Sequence, residues 1–96
     1  MSARYTVCDL RQDVAKVNDW AEKDGFPVRL ECGGRNGYQA VDEYPVNVDG
    51  ARVGSGVNRT VQTGSSKDCG FAALDWYSNC SRKYNHPDSA ACPDLV

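Results

Sequence analysis

The sequence predicts an α+β domain of order helix, strand, strand, strand, helix. It is expected to fold as an αβββα two-layer sandwich, with a three-stranded antiparallel sheet and two helices on one face. Three observations lead there. Apolar residues recur at helical spacing near both ends, in Leu10, Val14, Val17 and Ala21 and again in Cys69, Ala72, Ala73, Trp76 and Cys80. Three short stretches between them alternate apolar with polar residues. Turn signals separate those stretches: Asn36-Gly37, Asp49-Gly50 and Gly54-Ser55-Gly56. At 96 residues the chain makes one domain with a modest core. The domain is expected over 1–80, with an irregular tail over 81–96.

The first helix is expected near Val7–Lys23. Thr6 and Asp9 resemble a capping box with Asp in place of Glu, Gly25 is a C-terminal stop, and Pro27 prevents continuation. Trp20 flanks the stripe as a packing residue. The central stretch PVRLECGGRNGYQAVDEY reads as a hairpin. Val28, Leu30 and Cys32 share one face, and Gly33–Gly37 form the turn. Tyr38, Ala40 and Tyr44 share the core face in this reading, which leaves Arg29, Glu31, Gln39, Val41 and Glu43 on the open face.

Pro45 weakens further extension, and Val57–Thr63 reads as the third strand. Gly64 ends it, Ser65 or Ser66 caps the next helix, and that helix runs near Ser66–Cys80. Trp76 lies in the middle of its stripe, and the spacing directs it into the core against the first helix, near Val14 and Val17.

Composition narrows the function. Eleven basic residues stand against 13 acidic ones, for a net charge of −2, so no global charge draws the chain to nucleic acid or anionic lipid. The apolar runs are too short to span a bilayer, and the first ten residues hold no signal-peptide apolar core. Five cysteines, Cys8, Cys32, Cys69, Cys80 and Cys92, are an odd number for an oxidised framework. Cys69 and Cys80 on one helix would lie about 16 Å apart, too far to bridge. A reducing, intracellular setting follows. The alternative is a secreted, disulfide-stapled effector or toxin, which the sequons Asn58-Arg59-Thr60 and Asn79-Cys80-Ser81 would suit.

No catalytic constellation emerges, and the expectation is that the chain is not an enzyme and uses no cofactor or metal. Cys69 sits in a helical first turn, where the helix dipole lowers thiol pKa, but the sole histidine, His86, lies in the tail. Cys80, His86 and Cys92 lack compact zinc spacing. Asp42 and Glu43 are adjacent on a strand and point to opposite faces. The candidate contact residues are instead Arg35, Asn36 and Tyr38 on the hairpin turn, together with Glu31 and Glu43 from the open face of the sheet.

Two resemblances add expectations. The element order is similar to that of double-stranded RNA-binding domains. Gly64-Ser65-Ser66-Lys67 followed by Ala72-Ala73-Leu74 resembles the start of their last helix. This implies duplex RNA contact through Lys67, with Arg59, Arg52 and Arg35 in support. Lys67 has Asp68 where that family carries further lysines, and Gly33–Gly37 contains neither Pro nor His. The chain also resembles small accessory proteins encoded by bacteriophages of actinobacteria and related hosts. That likeness rests on Val17-Asn18, Val28-Arg29-Leu30, Asn36-Gly37-Tyr38, Asp42-Glu43-Tyr44 and Gly64 before a Ser- and Cys-containing helix start, over about Leu10–Tyr77. It implies a non-enzymatic intracellular protein that binds a host protein, such as a defence or gene-expression factor, and modulates or inhibits it.

Overall fold

The computed structural model describes residues 4–85. It holds α1 (Val7–Asp24), β1 (Val28–Arg35), β2 (Tyr38–Pro45), β3 (Arg59–Gly64) and α2 (Ser66–Asn85). The strands form one antiparallel sheet in the order β1-β2-β3. This is the expected α+β architecture.

Local chemistry sets the limits of α1. The Thr6 hydroxyl accepts from the Asp9 amide at 3.2 Å, and the Asp9 carboxylate accepts from the Thr6 amide at 2.8 Å. At the other end Gly25 adopts φ 76°, while the Gly25 and Phe26 amides donate back to Glu22 and Ala21. This left-handed close turns the chain straight into β1 and drives Phe26 into the core, where it is 2 % exposed. Leu10, Val14, Val17 and Ala21 are buried as their spacing requires.

The two helices run parallel on one face of the sheet. Tyr5, just before α1, lies against Gly70 of α2, so closely that a β-carbon at Gly70 would meet the tyrosine ring. Further along, Trp20 packs on Tyr77 with ring centroids 5.1 Å apart, and Phe26 touches both Tyr77 and Tyr84. Trp20 remains partly exposed at this edge. Trp76 is 2 % exposed and belongs to the same buried cluster as Leu10, Val14 and Val17.

The hairpin corrects the expected faces of β2. Gly33, Gly34 and Arg35 belong to β1, and the turn is only Asn36-Gly37, with φ 54° and 85°. Positive φ at both positions is the requirement of a two-residue hairpin turn. Arg35 therefore pairs with Tyr38, Cys32 with Val41 and Leu30 with Glu43. Directly paired residues share a face. Val41 and Glu43 thus face the helices, whereas Tyr38, Ala40, Asp42 and Tyr44 join Arg29 and Glu31 on the far side. A five-residue turn gives the opposite parity, which is why Val41 and Glu43 were expected outside and Tyr38, Ala40 and Tyr44 inside. Val41 is 0 % exposed and belongs to the core.

Other boundaries also differ. β3 begins at Arg59, not Val57, and Val57 and Asn58 are exposed. Between Val41 and Asp42 the register slips by one, leaving Val61 without a partner, a bulge that lets it pack on the core. α2 passes Cys80 and takes up residues 81–85, held by Tyr84 on Phe26. The rest of the expected tail, including His86 and Cys92, lies outside the described residues.

The β2–β3 connection is ordered by its own polar groups. Val46 bridges to Arg52, and the Asn47 side chain accepts from the Asp49 and Ala51 amides at 3.0 and 2.9 Å. α1 also closes part of the β1 edge. The Asn18 amide accepts from the Leu30 N–H and donates to the Leu30 carbonyl, both at 2.8 Å, as a neighbouring strand would.

Among the described residues Cys8, Cys32, Cys69 and Cys80 are free thiols. Burial raises the pKa of Cys32 and Cys69, and it pushes Cys80 up to about 11 with help from the nearby Glu43 charge. Only the thiolate is nucleophilic. Alkylation of the folded chain at about pH 8 is therefore expected to modify exposed Cys8 well before Cys69 and Cys80. Peptide mapping by mass spectrometry reads the order, and equal rates would mean that the helix layer is open.

Candidate binding surface

The hairpin turn projects from the end of the sheet that also holds the N-termini of both helices. Its geometry follows from the turn chemistry: Asn tolerates the left-handed region, Gly occupies it freely, and the following strand residue is aimed without slack. That residue is Tyr38, 62 % exposed, with exposed Asn36 beside it. The Arg35 backbone pairs with Tyr38 to close the turn. Gly33, on the same face, has open space where a side chain would stand.

Glu31 and Glu43, the other two candidate contacts, lie away from this tip and are already engaged. Both Arg52 terminal nitrogens donate to the two Glu31 carboxylate oxygens, at 2.9 and 3.0 Å. The Arg52 guanidinium also lies over the Tyr44 ring, 4.3 Å from its centroid, and donates to the Gly56 carbonyl. This forked pair staples the β2–β3 connection across the open face of the sheet. The approach of Glu31 raises the guanidinium pKa further.

Glu43 is a structural acceptor on the helix-facing side. The Trp76 indole N–H donates to its Oε1 at 2.8 Å, and the Asn58 side-chain amide donates to its Oε2 at 3.0 Å. Arg59 pairs with the same carboxylate at 3.5 Å. One carboxylate thereby ties β2, the start of β3 and the middle of α2. On the open face Asp42 accepts from the Thr60 hydroxyl at 2.8 Å and is 4 % exposed.

The residues implied for nucleic acid are dispersed. Arg52 is on the open face with Glu31. Arg59 borders Asn79, Cys80 and Lys83 at the far end of α2. Lys67 stands in the first turn, about 20 Å along the helix from Cys80, with its ammonium 5.9 Å from the Phe71 ring. No one face gathers the three. Among the described residues no cluster of His, Cys, Asp and Glu has metal-ligating geometry, and no helix is long and apolar enough to cross a membrane.

The sequence reading missed Arg29, which it placed on a sheet face expected to be solvated or to form an interface. Arg29 is only 9 % exposed. Its alternation with Val28 and Leu30 signals which face it starts from, but nothing local signals that its guanidinium folds back over the strand edge. Comparison with protein families, curated proteins and solved structures gave no match.

Proposed function

We propose that this chain is a non-enzymatic binding protein that engages a partner protein through the β1–β2 hairpin tip. The observation that supports it is Tyr38, an aromatic side chain held largely in solvent by a turn of fixed geometry. Aromatic anchors contribute heavily to protein interfaces, and a preformed turn reduces the entropy lost on docking. The resemblance to bacteriophage accessory proteins makes a host protein the natural partner, with modulation or inhibition as the outcome and the host cytoplasm as the compartment. Glu31 and Glu43 drop out of the contact set because each already serves the fold; Asn36, Tyr38 and Arg35 remain.

The test compares the wild-type chain with Tyr38→Ala as immobilised bait in host lysate. One dominant protein is expected on the wild type and is expected to be lost from the variant, with the two melting temperatures equal. Undiminished capture by Tyr38→Ala would refute the assignment of the tip. Capture of nucleic acid alone, falling steeply with salt, would point to phosphate contacts instead.

A further inference from the structure

At the opposite end of the sheet from the hairpin, a cleft of about 420 Å³ opens between the close of α1 and the Asn47–Gly50 turn. Its apolar wall is Phe26, Pro27 and Val46, and its polar groups include Arg29 and Glu22. A second hollow of about 430 Å³ shares Glu22, Arg29 and Gly50, so the two run together along the outer side of α1. The volume and the mixture of an apolar wall with a few polar groups suit a small ligand.

Arg29 distinguishes this cleft from an ordinary surface depression. Its Nη1 donates to the Phe26 and Val28 carbonyls at 2.6 and 2.7 Å. Those acceptors fix the plane of the guanidinium but carry no charge. Among the described residues no carboxylate lies within ion-pair distance of it. Its Nε and Nη2 donate to no described residue, yet among the described residues no buried side-chain nitrogen or oxygen lacks a partner. The remaining N–H groups are therefore open to solvent, and the solvent beside Arg29 is the cleft. A nearly buried cation without a counter-ion is unfavourable, and a ligand carboxylate would relieve it. The Nε–Nη2 edge of a fixed guanidinium presents two parallel donors, the fork that a carboxylate accepts.

The other charges define the rest of the ligand. Glu22 makes no ion pair among the described residues, and Asp49 also lines the cleft. Two carboxylates beside one guanidinium disfavour a bare anion, while Arg29 disfavours a bare cation. We infer that the cleft binds a small zwitterion of the α-amino acid class with an apolar side chain. Its carboxylate sits on Arg29, its ammonium on Glu22, and its side chain on Phe26, Pro27 and Val46. This site is separate from the hairpin tip and stands independently of the function proposed for it.

The experiment is an amide-shift NMR titration of the full chain with L-leucine and L-phenylalanine. N-acetyl-leucine and leucinamide, each lacking one charge, are the comparators. Saturable shifts at Phe26, Val46 and Gly50 are expected, with Kd at or below about 1 mM, and both comparators about tenfold weaker. Arg29→Gln is expected to abolish binding. Because Arg29 also braces two carbonyls, Glu22→Gln is the second variant. Glu22 is exposed, so the fold is expected to be kept, with amino acid binding weakened about tenfold and N-acetyl-leucine unaffected. Absence of saturation up to about 10 mM, equal affinity for N-acetyl-leucine, or full binding by Glu22→Gln would each overturn the inference.

Discussion

Replacing Trp76 with alanine is expected to leave the protein largely unfolded. The side chain is 2 % exposed in the cluster that joins both helices to the sheet. Removing a buried Trp costs about 3–5 kcal/mol through lost transfer energy and the cavity left behind. A small domain has about 5–15 kcal/mol in total, and a chain of this length belongs at the lower end. The indole N–H bond to Glu43 is lost as well, but Asn58 and Arg59 keep that carboxylate satisfied. Trp76→Phe separates the contributions. It retains most of the apolar area and loses the hydrogen bond to a charged acceptor, for about 1.5–3 kcal/mol. Urea denaturation followed by circular dichroism measures both. An unchanged midpoint for Trp76→Ala would mean that α2 presents another face to the sheet.

Val41→Asp is expected to abolish folding, and Tyr38→Asp to be tolerated. Val41 is fully enclosed on the helix side of the sheet. An unpaired carboxylate there loses its hydration without gaining a counter-ion, at several kcal/mol even after relaxation. Tyr38, three residues earlier on β2, carries its side chain in solvent on the opposite face. The pair tests the hairpin register directly. A turn longer by three residues would invert the parity and exchange the two outcomes, because a slip of an odd number of residues moves every side chain to the other face. Expression level, chemical shift dispersion and melting temperature of the two variants decide it.

This register is also where the sequence stopped being legible. The helices could be read from short-range chemistry: Thr6 caps with Asp9, Gly25 closes α1, and apolar residues return at helical spacing. β1 was equally clear in its faces. β2 was not, because its parity depends on how many residues the turn consumes, and Gly33-Gly34 resemble turn residues while lying in the strand. Only Asn36 and Gly37 have the backbone conformation that reverses the chain.

The candidate site divided in the same way. The tip itself could be located because Asn36-Gly37 is a turn signal, but the five-residue turn put the Tyr38 side chain on the core face, whereas it is 62 % exposed. Glu43 was misread as a surface group because its donor, Trp76, is 33 positions away. Arg29 was misread because alternation reports where a side chain starts and not where a long one ends. Its carbonyl partners at Phe26 and Val28 are near in sequence, but the cleft it borders is completed by Val46 and the Asn47–Gly50 turn.

The Asn18 amide on Leu30 has a consequence for how copies of this sheet can meet. A strand edge recruits another chain through unoccupied backbone donors and acceptors. At the middle of β1 both are taken by a side chain from α1. β3 is the other edge of the sheet. Strand-to-strand association is thereby favoured at β3, because β1 offers a partner only the part of its edge beyond Leu30. Two copies joined there would make a six-stranded sheet with an Asn18 at each outer strand, so each further copy would meet a shortened edge and growth into a fibre would be disfavoured.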